Sequence, residues 1–95
     1  MTYDSRIKEP MVDDLFKALL ALKDEEDCYR FFEDLCTVGE IKAMSARWRV
    51  ANMLTKEYTY AEIIAETGVS TATISRVKKC IHYGADGYRR KLKLK

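Results

Sequence analysis

Residues 59–83 read TYAEIIAETGVSTATISRVKKCIHY. The punctuation of this stretch predicts two short helices joined by a tight turn. Thr59 can cap the first helix with its hydroxyl, and Glu62, three residues on, can reach back to the Thr59 amide to complete a capping box. Ile63 and Ile64 supply an apolar face. Gly68 stands where the chain must leave the helix, a position that often needs a positive φ. Val69 follows as a buried plug, and Ser70 caps the second helix. Ile74, Val77 and Ile81 recur at spacings of three and four and line one side of it. The opposite side carries Thr71, Ala72, Ser75, Lys78, Lys79 and His82, which are short, polar and increasingly basic.

A helix with that face, braced by a preceding helix across a glycine turn, is the helix-turn-helix arrangement for entering the DNA major groove. An ordinary surface helix would show Glu and Lys where this one shows small hydroxyl residues. Base contacts are expected from Thr71, Ala72 and Ser75. Phosphate contacts are expected from backbone amides at the helix N-terminus, from Lys78 and Lys79, and from a basic tail over residues 88–95 that includes Arg89 and Arg90. Arg76 can serve either purpose.

The charge distribution points the same way. A net charge of +2 hides an asymmetry: residues 1–45 carry 6 Lys+Arg against 11 Asp+Glu, and residues 46–95 carry 11 against 4. The positive half holds the two-helix motif, as a polyanion-binding surface requires. The competing reading is a merely polar tail, since five of the eleven basic residues fall in 89–95.

The 95 residues suit one domain, 1–95, and 47% apolar content is enough for a folded core. No apolar run is long enough to span a membrane, and Asp4 and Glu9 interrupt any signal peptide, so a soluble, cytoplasmic protein is expected. Cys28, Cys36 and Cys80 lack a Cys-x-x-Cys spacing and read as reduced core residues, with no metal site. The single His82 has no evident nucleophile partner and there is no Gly-rich phosphate loop, so an enzyme is not expected.

Upstream, residues 1–9 look loosely attached. Pro10 suits the first turn of a helix in which Val12, Leu15, Phe16, Leu19 and Leu22 keep a helical period to about Lys23. Asp24 can cap a second helix whose stripe is Cys28, Phe31, Phe32, Leu35 and Cys36. Thr37 and Glu40 repeat the capping-box pattern ahead of a longer helix from Val38 to about Lys56. Its apolar residues, Ile41, Met44, Trp48, Val50, Ala51, Met53 and Leu54, wrap around more than one face and must be covered from several sides. One short chain has few elements to do this, so a helical homodimer with shared N-terminal cores is expected. After the motif, Gly84 and Asp86-Gly87 punctuate the chain, and the basic end forms either a short last helix or a flexible arm.

The run from Thr37 to Ile81 resembles the Trp repressor family, in its YerC/YecD-like branch. The matches, in order, are Thr37–Glu40, Ala46-Arg47-Trp48-Arg49-Val50, Thr59-x-x-Glu62-Ile63, Glu66-x-Gly68 and Ala72-Thr73-Ile74-Ser75-Arg76. The resemblance implies an all-α, Trp repressor-like bundle, an intertwined homodimer and a function as a transcriptional regulator on double-stranded DNA. It places Thr71, Ala72, Thr73 and Ser75 on the DNA-reading face, and Ser70, which caps that helix, is also expected at the DNA. It also implies an effector pocket around Thr37, Arg47, Arg76, Val77 and Cys80, where two guanidinium groups suit a small carboxylate or an amino acid. The family has Gly where this chain has Val77, and the branched side chain projects into the space of the indole, which argues against L-tryptophan as the effector. Ala61 and Ile64 replace polar or basic residues that help the family grip DNA. The alternative function is therefore a helical protein-interaction module that has lost DNA binding.

Overall fold

The computed structural model describes residues 3–94. Met1, Thr2 and Lys95 lie outside them, and with them the ends of the expected loose N-terminus and basic tail. Among the described residues six α-helices follow one another and there is no strand. The chain divides into two compact units at Thr37/Val38.

The first unit holds α1 (Pro10–Leu20) and α2 (Glu25–Leu35). Pro10 occupies the first turn of α1, as expected. The helix stops three residues short of the expected Lys23, and the cause lies downstream. The Asp24 carboxylate accepts from the Asp27 N–H at 2.9 Å, and the Asp27 carboxylate accepts from the Lys23 N–H at 3.1 Å. These bonds draw residues 23–24 into the N-terminal cap of α2. The end of α1 tightens instead, with the Ala21 and Leu22 amides donating to the carbonyls of Ala18 and Leu19. No residue of α1 or α2 is buried. Phe31 and Phe32 meet edge to face at 5.8 Å and stay half-buried, and Leu20 is 86% exposed.

The second unit contains the closed core. It is built from α3 (Val38–Thr55), α4 (Tyr60–Thr67), α5 (Thr71–Tyr83) and α6 (Gly87–Lys91). Val50 and Ala51 of α3 meet Ile63 of α4 and Ile74, Val77 and Ile81 of α5 in one buried cluster. Burying each of the larger side chains contributes about 1.5–3 kcal/mol. Val50 and Ala51 of α3 thus enter the core, while Val38, Met44 and Trp48, which precede them on the helix, remain exposed. Lys56 and Glu57 leave the helix, and Glu57 takes a left-handed conformation with φ +63°.

The expected punctuation of the motif is present. The Thr59 hydroxyl accepts from the Glu62 N–H at 3.1 Å, and the Glu62 carboxylate accepts from the Thr59 N–H at 2.8 Å. The backbone hydrogen bond to Thr59 holds the Glu62 carboxyl below its ordinary value, with the Thr59 side chain adding to it. The sign is that of a depressed acid: the cap helps fully above the ordinary carboxylate range and is lost as pH falls through the lowered value. Gly68 has φ +72°. The chain's end is anchored: Tyr88, Leu92 and Leu94 pack against the core, and the Tyr88 ring stacks on Trp48 at 6.4 Å. Of the two expected forms for the tail, the described part is the short helix.

Two glycine substitutions separate two kinds of strain. A Cβ at Gly68 meets open space, so Gly68→Ala carries only the backbone penalty, about 1–2 kcal/mol. A Cβ at Gly84, where φ is negative, overlaps the carbonyl oxygen of Cys80, so Gly84→Ala must displace the end of α5. Urea denaturation is expected to show the larger loss for Gly84→Ala; equal or reversed losses would contradict this description of the α5 terminus.

Candidate nucleic-acid interface

The interface is set by which side of α5 the core occupies. Successive residues turn by about 100° around a helix. With Ile74, Val77 and Ile81 directed into the core, Ala72, Ser75, Arg76 and Lys79 centre on the opposite side. All four are exposed, as are Thr71 and Lys78 at the margin. Val69, the residue after the turn, is half-buried and packs against the core. It fixes where α5 starts.

Two of the residues expected at the DNA are already engaged. The Ser70 hydroxyl accepts from the Thr73 N–H at 3.2 Å, and the two side-chain oxygens lie 3.2 Å apart. Thr73 is half-buried. Ser70 and Thr73 therefore build the N-terminal turn, while Thr71, Ala72, Ser75, Arg76, Lys78 and Lys79 form the exposed candidate surface. The Ile74 N–H donates to the Ser70 carbonyl, so the amides of Thr71 and Ala72 have no intrahelical acceptor. Such amides, at the positive end of a helix, suit a phosphate oxygen.

The cations around this surface are unspent. Among the described residues Arg76, Lys78, Lys79, Arg89 and Arg90 make no ion pair. The ion pair nearest the motif is Arg49–Glu66 at 3.3 Å, tying α3 to α4. It is exposed, and such a pair is worth about 1 kcal/mol at most. Arg89 is half-buried and Arg90 exposed.

The residues expected around an effector differ in exposure. Val77 is only 1% exposed and belongs to the core cluster. Arg47 and Cys80 are half-buried, Arg76 is exposed, and Thr37 belongs to the first unit. Two cavities, of about 480 and 510 Å³, open on the second unit, and neither is lined by Arg47, Arg76, Val77 or Cys80. The larger is a polar cleft between Trp48, Arg49, Lys56 and Glu66. The smaller joins Lys78 and His82 of α5 to Arg89 of α6. Sequence reasoning had no means of pairing these, because Arg89 reaches α5 only once Leu92 and Leu94 have docked.

Known proteins share this fold. The family model of the Trp repressor protein matches residues 11–95. The chain is 53% identical over 83 residues to the uncharacterized protein YerC of Bacillus subtilis (strain 168), a span of 87% of this chain and 80% of that one. A crystal structure of a TrpR-like protein from Eubacterium eligens ATCC 27750 superposes with a TM-score of 0.89 at 48% identity, covering 95% of this chain and 93% of that one. A second crystal structure, from Staphylococcus aureus, gives 0.84 at 45% identity with the same coverage.

Val77 sits under the reading surface, so its truncation tests the packing that orients it. Val77→Ala is expected to cost about 1.5–3 kcal/mol, read from the chemical-denaturation midpoint. A cost below about 0.5 kcal/mol would mean that this side chain is not part of the core.

Proposed function

We propose that this chain, which belongs to the Trp repressor family and to its YerC-like branch, is a sequence-specific transcriptional regulator. It binds double-stranded DNA as a homodimer, with α5 in the major groove. The observation that carries the reading is the two-sidedness of α5. One side is locked in the core, and the other offers small polar residues flanked by unpaired cations. Thr71, Ala72 and Ser75 meet base edges. Lys78, Lys79, Arg90 and the free amides of Thr71 and Ala72 meet phosphates. The reading side chains are short and few can make a bidentate contact, so waters and DNA shape carry part of the specificity.

The homodimer rests on a second observation. Met11, Phe16, Leu20, Tyr29, Leu35, Val38 and Met44 are exposed in one chain, and covering such side chains removes apolar surface from water, which is favourable. A second copy would cover them and present two α5 helices to successive half-sites. No L-tryptophan is needed in this reading, because Val77 fills the space next to Arg76; a smaller acid or no effector suffices.

The test is a titration of bound DNA against salt, with Ser75→Glu as the control. For six or more phosphate contacts, affinity falls by roughly a thousandfold or more between 50 and 200 mM salt. Ser75→Glu is expected to abolish specific binding and leave stability nearly unchanged, since the residue is exposed. Millimolar L-tryptophan is expected to leave wild-type affinity within about twofold. A weak salt response would favour a protein-interaction module, and specific binding that survives Ser75→Glu would remove this face from the interface. Sedimentation equilibrium at micromolar concentration is expected to give about twice the chain mass; a fully helical monomer would rule out the shared core.

A further inference from the structure

The cavity of about 480 Å³ beside α5 lies within the size range of small-molecule sites. We propose that it binds a small amphipathic monoanion, an acid with an apolar body, and that its occupation weakens DNA binding. The second half of this statement rests on the DNA-binding reading given above; the first does not.

The lining chooses the ligand class. Leu54, Ile81 and Leu94 give the cavity an apolar part, to which Tyr58 and Tyr60 add ring surface. Lys78 and Arg89 supply two permanent positive charges, and neither makes an ion pair among the described residues. Glu57 supplies one negative charge. The balance suits a single carboxylate, and the Glu57 carboxylate disfavours a dianion. A bare phosphate, from DNA or from solution, would leave the apolar part unused. Arg89 is half-buried on a segment anchored by Tyr88, Leu92 and Leu94, so its backbone is already placed at the cavity before the ligand arrives.

The position of the cavity supplies the coupling. Thr71, Ser75, Lys78 and His82 follow one another at steps of four, three and four along α5, so they share one flank. The reading surface thus runs directly into the cavity through Lys78 and His82. Arg76, Cys80 and Thr73 turn to the other flank, where the family resemblance puts its effector, so this is a separate site. A carboxylate held by Lys78 and Arg89 occupies Lys78, whose charge would otherwise meet phosphate, and adds a negative charge beside the DNA-facing side of α5. Linkage then requires that DNA weaken the ligand by the same factor by which the ligand weakens DNA.

The experiment begins without DNA. The full chain is titrated with 4-phenylbutyrate, with its neutral isostere 4-phenylbutanol, and with inorganic phosphate, and amide chemical shifts are followed. Saturable binding of 4-phenylbutyrate is expected, with the alcohol and phosphate each about tenfold weaker or worse. Arg89→Gln is expected to weaken the acid about tenfold, while Lys23→Gln, an equal charge loss in the first unit, leaves it unchanged. No saturation below about 10 mM overturns the site, as does phosphate binding as well as the acid, or an unaltered Arg89→Gln. The comparison of acid with alcohol decides the ligand class even if Arg89→Gln fails to fold. Saturating 4-phenylbutyrate is then expected to lower DNA affinity about fivefold or more. Unchanged DNA affinity at saturation overturns the coupling. A chain that binds the acid but no DNA supports the site and overturns the regulator reading.

Discussion

The packing of α5 against α3 is the constraint from which the rest follows. Ile74, Val77 and Ile81 are buried with Val50 and Ala51, and a helix held along one side cannot roll. Ala51 is small enough to let the two helices approach closely, and Ile63 closes the cluster from α4. Because that side is fixed, the residues on the other side point outward together. Their identity can then serve recognition without cost to the core. Gly68 and Val69 complete the arrangement by setting where α5 begins: one permits the left-handed turn and the other anchors the chain after it.

The local chemistry of the motif was readable because it depends on near neighbours in the sequence. Thr59 and Glu62, Gly68, and Ser70 with its helix each specify a hydrogen bond or a backbone conformation within three or four residues. The resemblance to the Trp repressor family was legible in the same residues. What escaped the sequence depends on contacts between distant segments. Residues 92 and 94 look like two leucines lost in a basic tail, yet they pack against the core, and Arg89 lines one cavity with Lys78. The early end of α1 came from competition: the period of its apolar residues allowed it to continue, but the paired aspartates at 24 and 27 claimed the next residues for α2.

Val77 shows how two sequence arguments can compete for one side chain. Its spacing from Ile74 and Ile81 assigns it to the core, and its place after Arg76 assigns it to an effector pocket. The structure puts it in the core. A buried valine at this place and a cleft open enough for a flat ring are hard to reconcile, because overfilling a packed site costs about 1–3 kcal/mol. Ser70 and Thr73 teach a similar lesson. Both belong to the run of small hydroxyl residues that suggested base recognition, but their oxygens are used to start the helix that carries the others. Ala72, Ser75, Arg76 and Lys79 share the exposed side of the helix that this cap begins.

The exposed apolar residues of the first unit and the outward face of α5 make one joint claim: two copies of the chain bring two reading helices to one stretch of duplex. Selection of bound sites from random double-stranded DNA with the purified protein tests that claim most directly. An enriched inverted repeat, with half-sites about one helical turn apart, is expected. Recovery of sequences with no enriched motif, or of a lone half-site without a symmetric partner, would contradict it.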